Sequence, residues 1–194
     1  MIAQALARSA ARPTLTLAIG EALGYVSATK IRTDREYPPF DRSTRDGYAV
    51  RAGEALQGVS LRCVGEIKAG DSVTEALPAG ACVQIMTGAA VPSGADAVVM
   101  IEFTRREGER VTFERATQAG QNIVARGSEA RAREVALSAG IRLGFAELAV
   151  AAQVGASTLQ CHKKPSVAIL STGDEVVAVM ETPGPFHIRN SNSV

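Results

Sequence analysis

Apolar residues recur with three different rhythms along the chain. Residues 1–11 are Ala-rich, with Ile and Leu at helical spacing, which predicts a short helix stopped before Pro13. Thr16 is placed to cap a second helix running through Leu23, with Gly24 as its end. Tyr25 to Ile31 alternates weakly, as a strand does. Tyr37-Pro38-Pro39-Phe40 breaks regular structure and opens a new region. From about Gly47 to Glu114 short apolar runs take over: YAV, VSLRCVG, ACVQIM, DAVVMIE and RVTFE. Turn residues such as Gly70-Asp71, Pro78-Ala79-Gly80 and Pro92-Ser93-Gly94 separate them, which predicts a small β-sandwich or barrel.

The stretch from Gln121 to Arg133 is polar and carries Arg126, Arg131 and Arg133. Those three guanidinium groups suit phosphate only if the fold brings them together. Leu143 to Val154 reads as a helix ended by Gly155, with Leu148, Ala152 and Val154 toward a core. Thr158 to Cys161 reads as a strand. SVAILSTGDE, after Pro165, has the form of a buried parallel strand delivering polar residues at its carboxyl end. In open α/β sheets ligands bind at that edge. One strand–helix–strand unit takes about 30 residues, so the sheet is not completed within this chain. Phe186 to Val194 is expected to be loose or packed on another chain. The expected fold class is mixed α/β and β-rich.

The 194 residues are 46% hydrophobic and 21% charged, ordinary for a globular chain. There is no Trp and only 4% aromatic content, so Ala, Val, Leu and Ile must fill the cores. The net charge is +1, and nothing in the sequence requires the concentrated basic surface usual in a nucleic-acid binder, so no nucleic-acid partner is expected. Cys63, Cys82 and Cys161 are odd in number, far apart and without CxxC spacing. His162 and His187 lack ligand spacing with them, which argues against a disulfide framework, a zinc site or any assigned metal ligand. No signal-peptide form and no apolar stretch near about 18 residues is present. The expectation is a cytoplasmic protein with no membrane association.

Three clusters carry candidate chemistry. Asp41, Ser43, Thr44 and Asp46 place two carboxylates and two hydroxyls within six positions. Such a group holds a cation or orders a polar ligand, although a type I turn with an Asx cap is the simpler local account. Thr87-Gly88 follows an apolar run, and a hydroxyl beside Gly at a strand end reaches an anion. An ordinary β-turn explains it equally well. Ser171-Thr172-Gly173-Asp174-Glu175 combines hydroxyls and amides suited to a phosphate or pterin edge with acids suited to a divalent cation. Its plainer alternative is a strand-to-helix cap. Glu129, after Arg126-Gly127-Ser128, reads locally as a solvated loop residue.

Taken in order, these segments resemble one family, the MoeA-type molybdopterin molybdenumtransferases, which include the gephyrin E domain. PPFDRSTRDGYAVRA resembles the family signature PPFDxSxMDGYA. GEIKAGDSVTEALPAGACVQIMTGAAVPSGADAVVMIE, GQNIVARGSE, VAILSTGDEV and IRNSNS resemble its later blocks. The match runs from about Leu15 to Ser193 and covers the amino-terminal portion of the family pattern only.

The resemblance implies a linker domain at 14–33 and 134–164 and an inserted β-domain at 34–133. It implies a partial molybdopterin-binding α/β domain at 1–13 and 165–194. The implied reaction inserts molybdate into adenylylated molybdopterin with magnesium and releases AMP. The resemblance also implies a homodimer with the cleft between its subunits. Carried over by position, the catalytic residues are Asp46, Thr87, Glu129 and Glu175. The implied substrate-binding residues are Asp41, Ser43, Gly88, Ser171, Thr172, Gly173, Asp174 and Asn192. Glu129 stands where the family has Asp, Arg45 where Met is common, and Asn190 where Asp is common. The family's Ser-Gly-Gly phosphate loop, later acids and carboxy-terminal barrel are absent from the chain, so it is expected to be inactive alone. Two further readings are a non-catalytic scaffold and a pterin- or nucleotide-binding module of the same architecture.

Overall fold

The computed structural model describes residues 12–192. The helix expected over residues 1–11 lies outside that range. Two compact units form: one spans residues 16–161, and the other takes the described residues on either side of it.

The first strands are β1 (Thr14–Ala18), β2 (Val26–Ser27) and β3 (Ile31–Arg32). β1 replaces the helix expected from Thr16 to Leu23. Thr and Leu alternate through it with exposure alternating in step, a period of two that β-branched Thr favours. Only Ile19–Glu21 makes a single 3-10 turn. The strand expected from Tyr25 to Ile31 is split into β2 and β3. Next come β4 (Arg42–Ser43), β5 (Gly47–Val50), β6 (Ser60–Ile67), β7 (Ala81–Ile85) and β8 (Ala97–Met100). They are followed by β9 (Thr104–Glu107), β10 (Arg110–Phe113), β11 (Ile123–Val124) and β12 (Val135–Leu137).

A six-stranded sheet in the order β8-β5-β7-β6-β10-β9 dominates this unit. Only β6 and β7 within it run parallel; the other pairings are antiparallel. Its sequence pattern follows from burial. Tyr48, Val50, Cys82, Ala97, Val99, Val111 and Phe113 fill a core on one face. Ala49, Ala81, Val83, Ile85 and Val98 fill a second core on the other. Strands β5, β7 and β8 are thus covered on both faces and read as continuous apolar runs. β6 and β10 keep one face in water and alternate.

α1 (Phe145–Gln153) confirms the predicted helix, and Glu147 accepts the Gly144 backbone N–H at 2.9 Å to cap it. Its inward residue is Ala151, one position before the expected Ala152, while Val154 just beyond it is buried as expected. β13 (Thr158–His162) turns Leu159 and Cys161 inward and joins β1 and β2 in one sheet.

In the smaller unit β14 (Val176–Val177) pairs in parallel with β15 (Ile188–Arg189). The buried strand expected at residues 166–170 is not formed. Val167, Ile169 and Leu170 are 79%, 58% and 88% exposed. A parallel strand needs flanking strands to satisfy its backbone, and none among the described residues pairs with this segment. No helix among the described residues is long and apolar enough to cross a membrane.

Candidate functional site

The turn between β4 and β5 is anchored from three sides. Ser43 N–H donates to Ala89 O at 3.0 Å, and Gly88 N–H donates back to Ser43 O at 2.8 Å. Thr44 N–H donates to Asn122 O, while Asn122 Nδ2 donates to Val98 O at 2.8 Å. Gly47 pairs with Ile85 on β7 and with Met100 on β8. A Cβ at Gly47 would lie 1.9 Å from the Val99 carbonyl oxygen. Gly is therefore required here by close backbone approach.

This anchoring brings Asp46 against the end of β7. Asp46 Oδ1 accepts both the Thr87 N–H and the Thr87 hydroxyl, each at 2.7 Å, across 41 positions of sequence. The Thr87 amide, then its hydroxyl, hold the Asp46 carboxyl below its usual range. The pair is exposed, and Oδ2 has no hydrogen bond among the described residues. Gly88 takes φ +85°, a backbone conformation that its lack of a side chain permits. Asp46, Thr87 and Gly88 thus form one polar rim carrying a carboxylate oxygen and a hydroxyl open to solvent.

The other expected residues fall in different places. Ser43 is buried, and its hydroxyl donates to Arg45 O at 2.6 Å and accepts Arg45 N–H. It shapes the turn, whereas an Asx cap was the local expectation. Asp41 accepts the Arg126 N–H at 2.8 Å. Glu129 is not free: Arg42 Nη2 donates to its Oε1 at 2.8 Å. Arg126 pairs with Glu36.

In the smaller unit Ser171 Oγ donates to Asn190 Oδ1 at 2.9 Å, and the Asn192 N–H reaches the same oxygen at 3.2 Å. Asn190 is the hub there, and the sequence reading assigned it no site role. Thr172, Gly173, Asp174 and Glu175 are exposed. A groove of about 550 Å³ opens between the carboxyl half of β6 and residues 71–78, but none of the expected residues lines it. Of its exposed acids, Glu66 pairs with Lys68 and Asp71 accepts the Lys68 N–H. Among the described residues no three His, Cys, Asp or Glu gather as a metal cluster.

A β-rich body whose doubly covered sheet holds a carboxylate–hydroxyl rim is the class this fold and site define. The sequence profile described as the MoeA N-terminal region (domain I and II) matches residues 1–155. The chain belongs to the MoeA family. A molybdopterin molybdenumtransferase from Staphylococcus epidermidis is 34% identical over 184 residues, covering 92% of this chain and 44% of that protein. One from Haemophilus influenzae is 37% identical over 170 residues, covering 86% and 42%. The crystal structure of a molybdopterin biosynthesis MoeA protein from Pyrococcus horikosii superposes with a TM-score of 0.86 at 30% identity. That match covers 98% of this chain and 50% of the other. The chain spans about half the length of these relatives or less.

Proposed function

We propose that this chain serves molybdenum cofactor biosynthesis by supplying the Asp46–Thr87 rim at which adenylylated molybdopterin is held. Molybdate is then inserted and AMP released. Kinship with proteins named molybdopterin molybdenumtransferases supports the pathway. The observation that carries the site is the doubly hydrogen-bonded Asp46–Thr87 pair, drawn together from distant stretches. Glu129 is proposed to act with Asp46 and Thr87 in catalysis, and Asp41 and Gly88 to contact substrate, Ser43 acting through its turn. In the smaller unit, taken by itself, Glu175 is proposed as catalytic and Ser171, Thr172, Gly173, Asp174 and Asn192 as substrate-binding. The proposed division is a linker domain at 14–33 and 134–164, a β-domain at 34–133, and part of an α/β domain at 165–194 with 1–13. Pairing of β12 with β3 supports the two-part linker.

Magnesium fits this rim as a hard cation bound by one carboxylate, with water and substrate phosphate oxygens filling its remaining positions. Asp46 Oδ2 would hold it, and the ion would neutralise charge that develops on the leaving phosphate. The chain's own part is to keep Asp46 ionised and oriented through the two Thr87 hydrogen bonds, with the Thr87 hydroxyl oxygen lining the approach. No general base is assigned.

The other half of the cleft, a homodimeric partner and a cytoplasmic setting belong to this reading. AMP release from adenylylated molybdopterin, with magnesium and molybdate, tests it. The 194-residue chain alone is expected to give negligible turnover, and robust turnover would overturn that dependence.

A further inference from the structure

We infer that Arg45 is an anion anchor of this site, taking phosphoryl oxygens of the substrate, and that Ser43 is the positioning residue that aims it. The inference rests on the site proposed above and adds a specificity-determining residue to it. The other charged side chains of the turn each have a partner. Asp41 receives the Arg126 N–H, Arg42 is paired with Glu129 at 2.8 Å, and one oxygen of Asp46 is committed to Thr87. The ion pairs among the described residues engage Arg42, Arg51, Lys68 and Arg126, never Arg45. Among the described residues, the only hydrogen bond of its guanidinium is from Nη1 to Thr44 O at 3.4 Å, at the outer limit of such contacts. Most of its donors therefore face water.

The base of that side chain is nonetheless fixed. The Ser43 side chain is buried at 1% exposure, and its single hydroxyl holds both the N–H and the C=O of Arg45. Burying a hydroxyl is costly unless its bonds are made, and here they are made to the backbone of an exposed arginine. The next residue is Asp46, which alone would repel an anionic ligand. A planar guanidinium beside it supplies the missing cation and matches phosphate oxygens in pairs.

The test is isothermal titration of the 194-residue chain with ADP and with inorganic pyrophosphate, each with magnesium, at low and at moderate salt. Arg45→Met is compared with Arg45→Lys, with Asp46→Asn, and with Arg105→Met. Arg105 is an exposed arginine on β9 in no ion pair. Loss of a charge-assisted pair of hydrogen bonds predicts affinity about ten-fold weaker or more in Arg45→Met. A shallower salt dependence, partial rescue by Lys, an unchanged melting midpoint and no effect of Arg105→Met complete the expected result. Weakening in Asp46→Asn with wild-type affinity in Arg45→Met would overturn the inference and leave the site standing. No binding by the unsubstituted chain, or no response to either substitution, would overturn both.

Discussion

Replacing Gly47 by Ala inserts one methyl group where no space exists. The added Cβ would sit 1.9 Å from Val99 O, 2.8 Å from Val99 C and 3.0 Å from the Met100 Cα, all of them backbone atoms. Strands β5 and β8 must part by about 1 Å before that contact becomes tolerable, which disrupts the Gly47–Met100 and Tyr48–Val99 register. Overpacking costs about 1–3 kcal/mol, and each weakened ladder bond adds about 1 kcal/mol. The lower entropy of an unfolded Ala chain returns about 0.4–1 kcal/mol. The net expected loss is about 2–4 kcal/mol, read as a fall of about 1–2 M in the urea midpoint if the slope is about 2 kcal/mol per M. Asp46 O, which receives the Ile101 N–H at 3.1 Å, moves with the strand end, so the Thr87 contact should loosen too. Gly53→Ala is the control, because nothing lies within 4 Å of its added Cβ; it should change stability by less than about 0.5 kcal/mol. A Gly47→Ala midpoint equal to that control would refute the close approach of β5 and β8.

Thr87→Val should raise the Asp46 titration midpoint only part of the way toward 3.8, because the Thr87 amide is the larger cause of its lowering and remains; carbonyl NMR across acidic pH reads it. Since the folded carboxyl is depressed, its stabilising share is present above the unfolded pKa and is lost as pH falls through the folded one. Thr87→Val should lose stability at higher pH than the unsubstituted chain loses its own, and identical acid-unfolding curves would contradict the bond. Phe113→Ala, at a fully buried site, should cost about 3–5 kcal/mol by urea unfolding. Burial pushes the Cys82 thiol up to about 12, with Cys63 beside it adding to the effect, and burial raises Cys161 as well. Thiol reagents at pH 8 should therefore label these cysteines only as the chain unfolds, and rapid labelling of Cys82 in the native state would be the contrary result.

How much the sequence disclosed depends on whether local pattern or distant contact decides a feature. YAV, ACVQIM and DAVVMIE mark β5, β7 and β8 because strands covered on both faces are apolar throughout. The run of Leu and Ala with Glu147 at its start marks α1 for an equally local reason. The Thr16 cap misled because the same Thr-Leu alternation that forms β1 also offers a hydroxyl before an apolar stretch. Ser166 to Leu170 has strand composition, yet composition says nothing about whether a neighbour exists to accept its hydrogen bonds. The site was legible only through the resemblance. Asp46 and Thr87 meet across β5 and β7, and no spacing rule links residues that sheet pairing alone brings together. The Arg42–Glu129 pair and the Asn190 hub are likewise products of folding, though Asn122 at φ +58° follows the known tolerance of Asn for that conformation.

The central claim is that the Asp46–Thr87 rim receives an anionic pterin nucleotide. Titrating the isotope-labelled chain with adenylylated molybdopterin and magnesium, while following backbone amides, tests it most directly. The account predicts that the Thr87, Gly88 and Gly47 resonances shift together and that Asp46→Asn removes those shifts. Binding that perturbs only amides remote from this turn, or that survives Asp46→Asn unchanged, would contradict it.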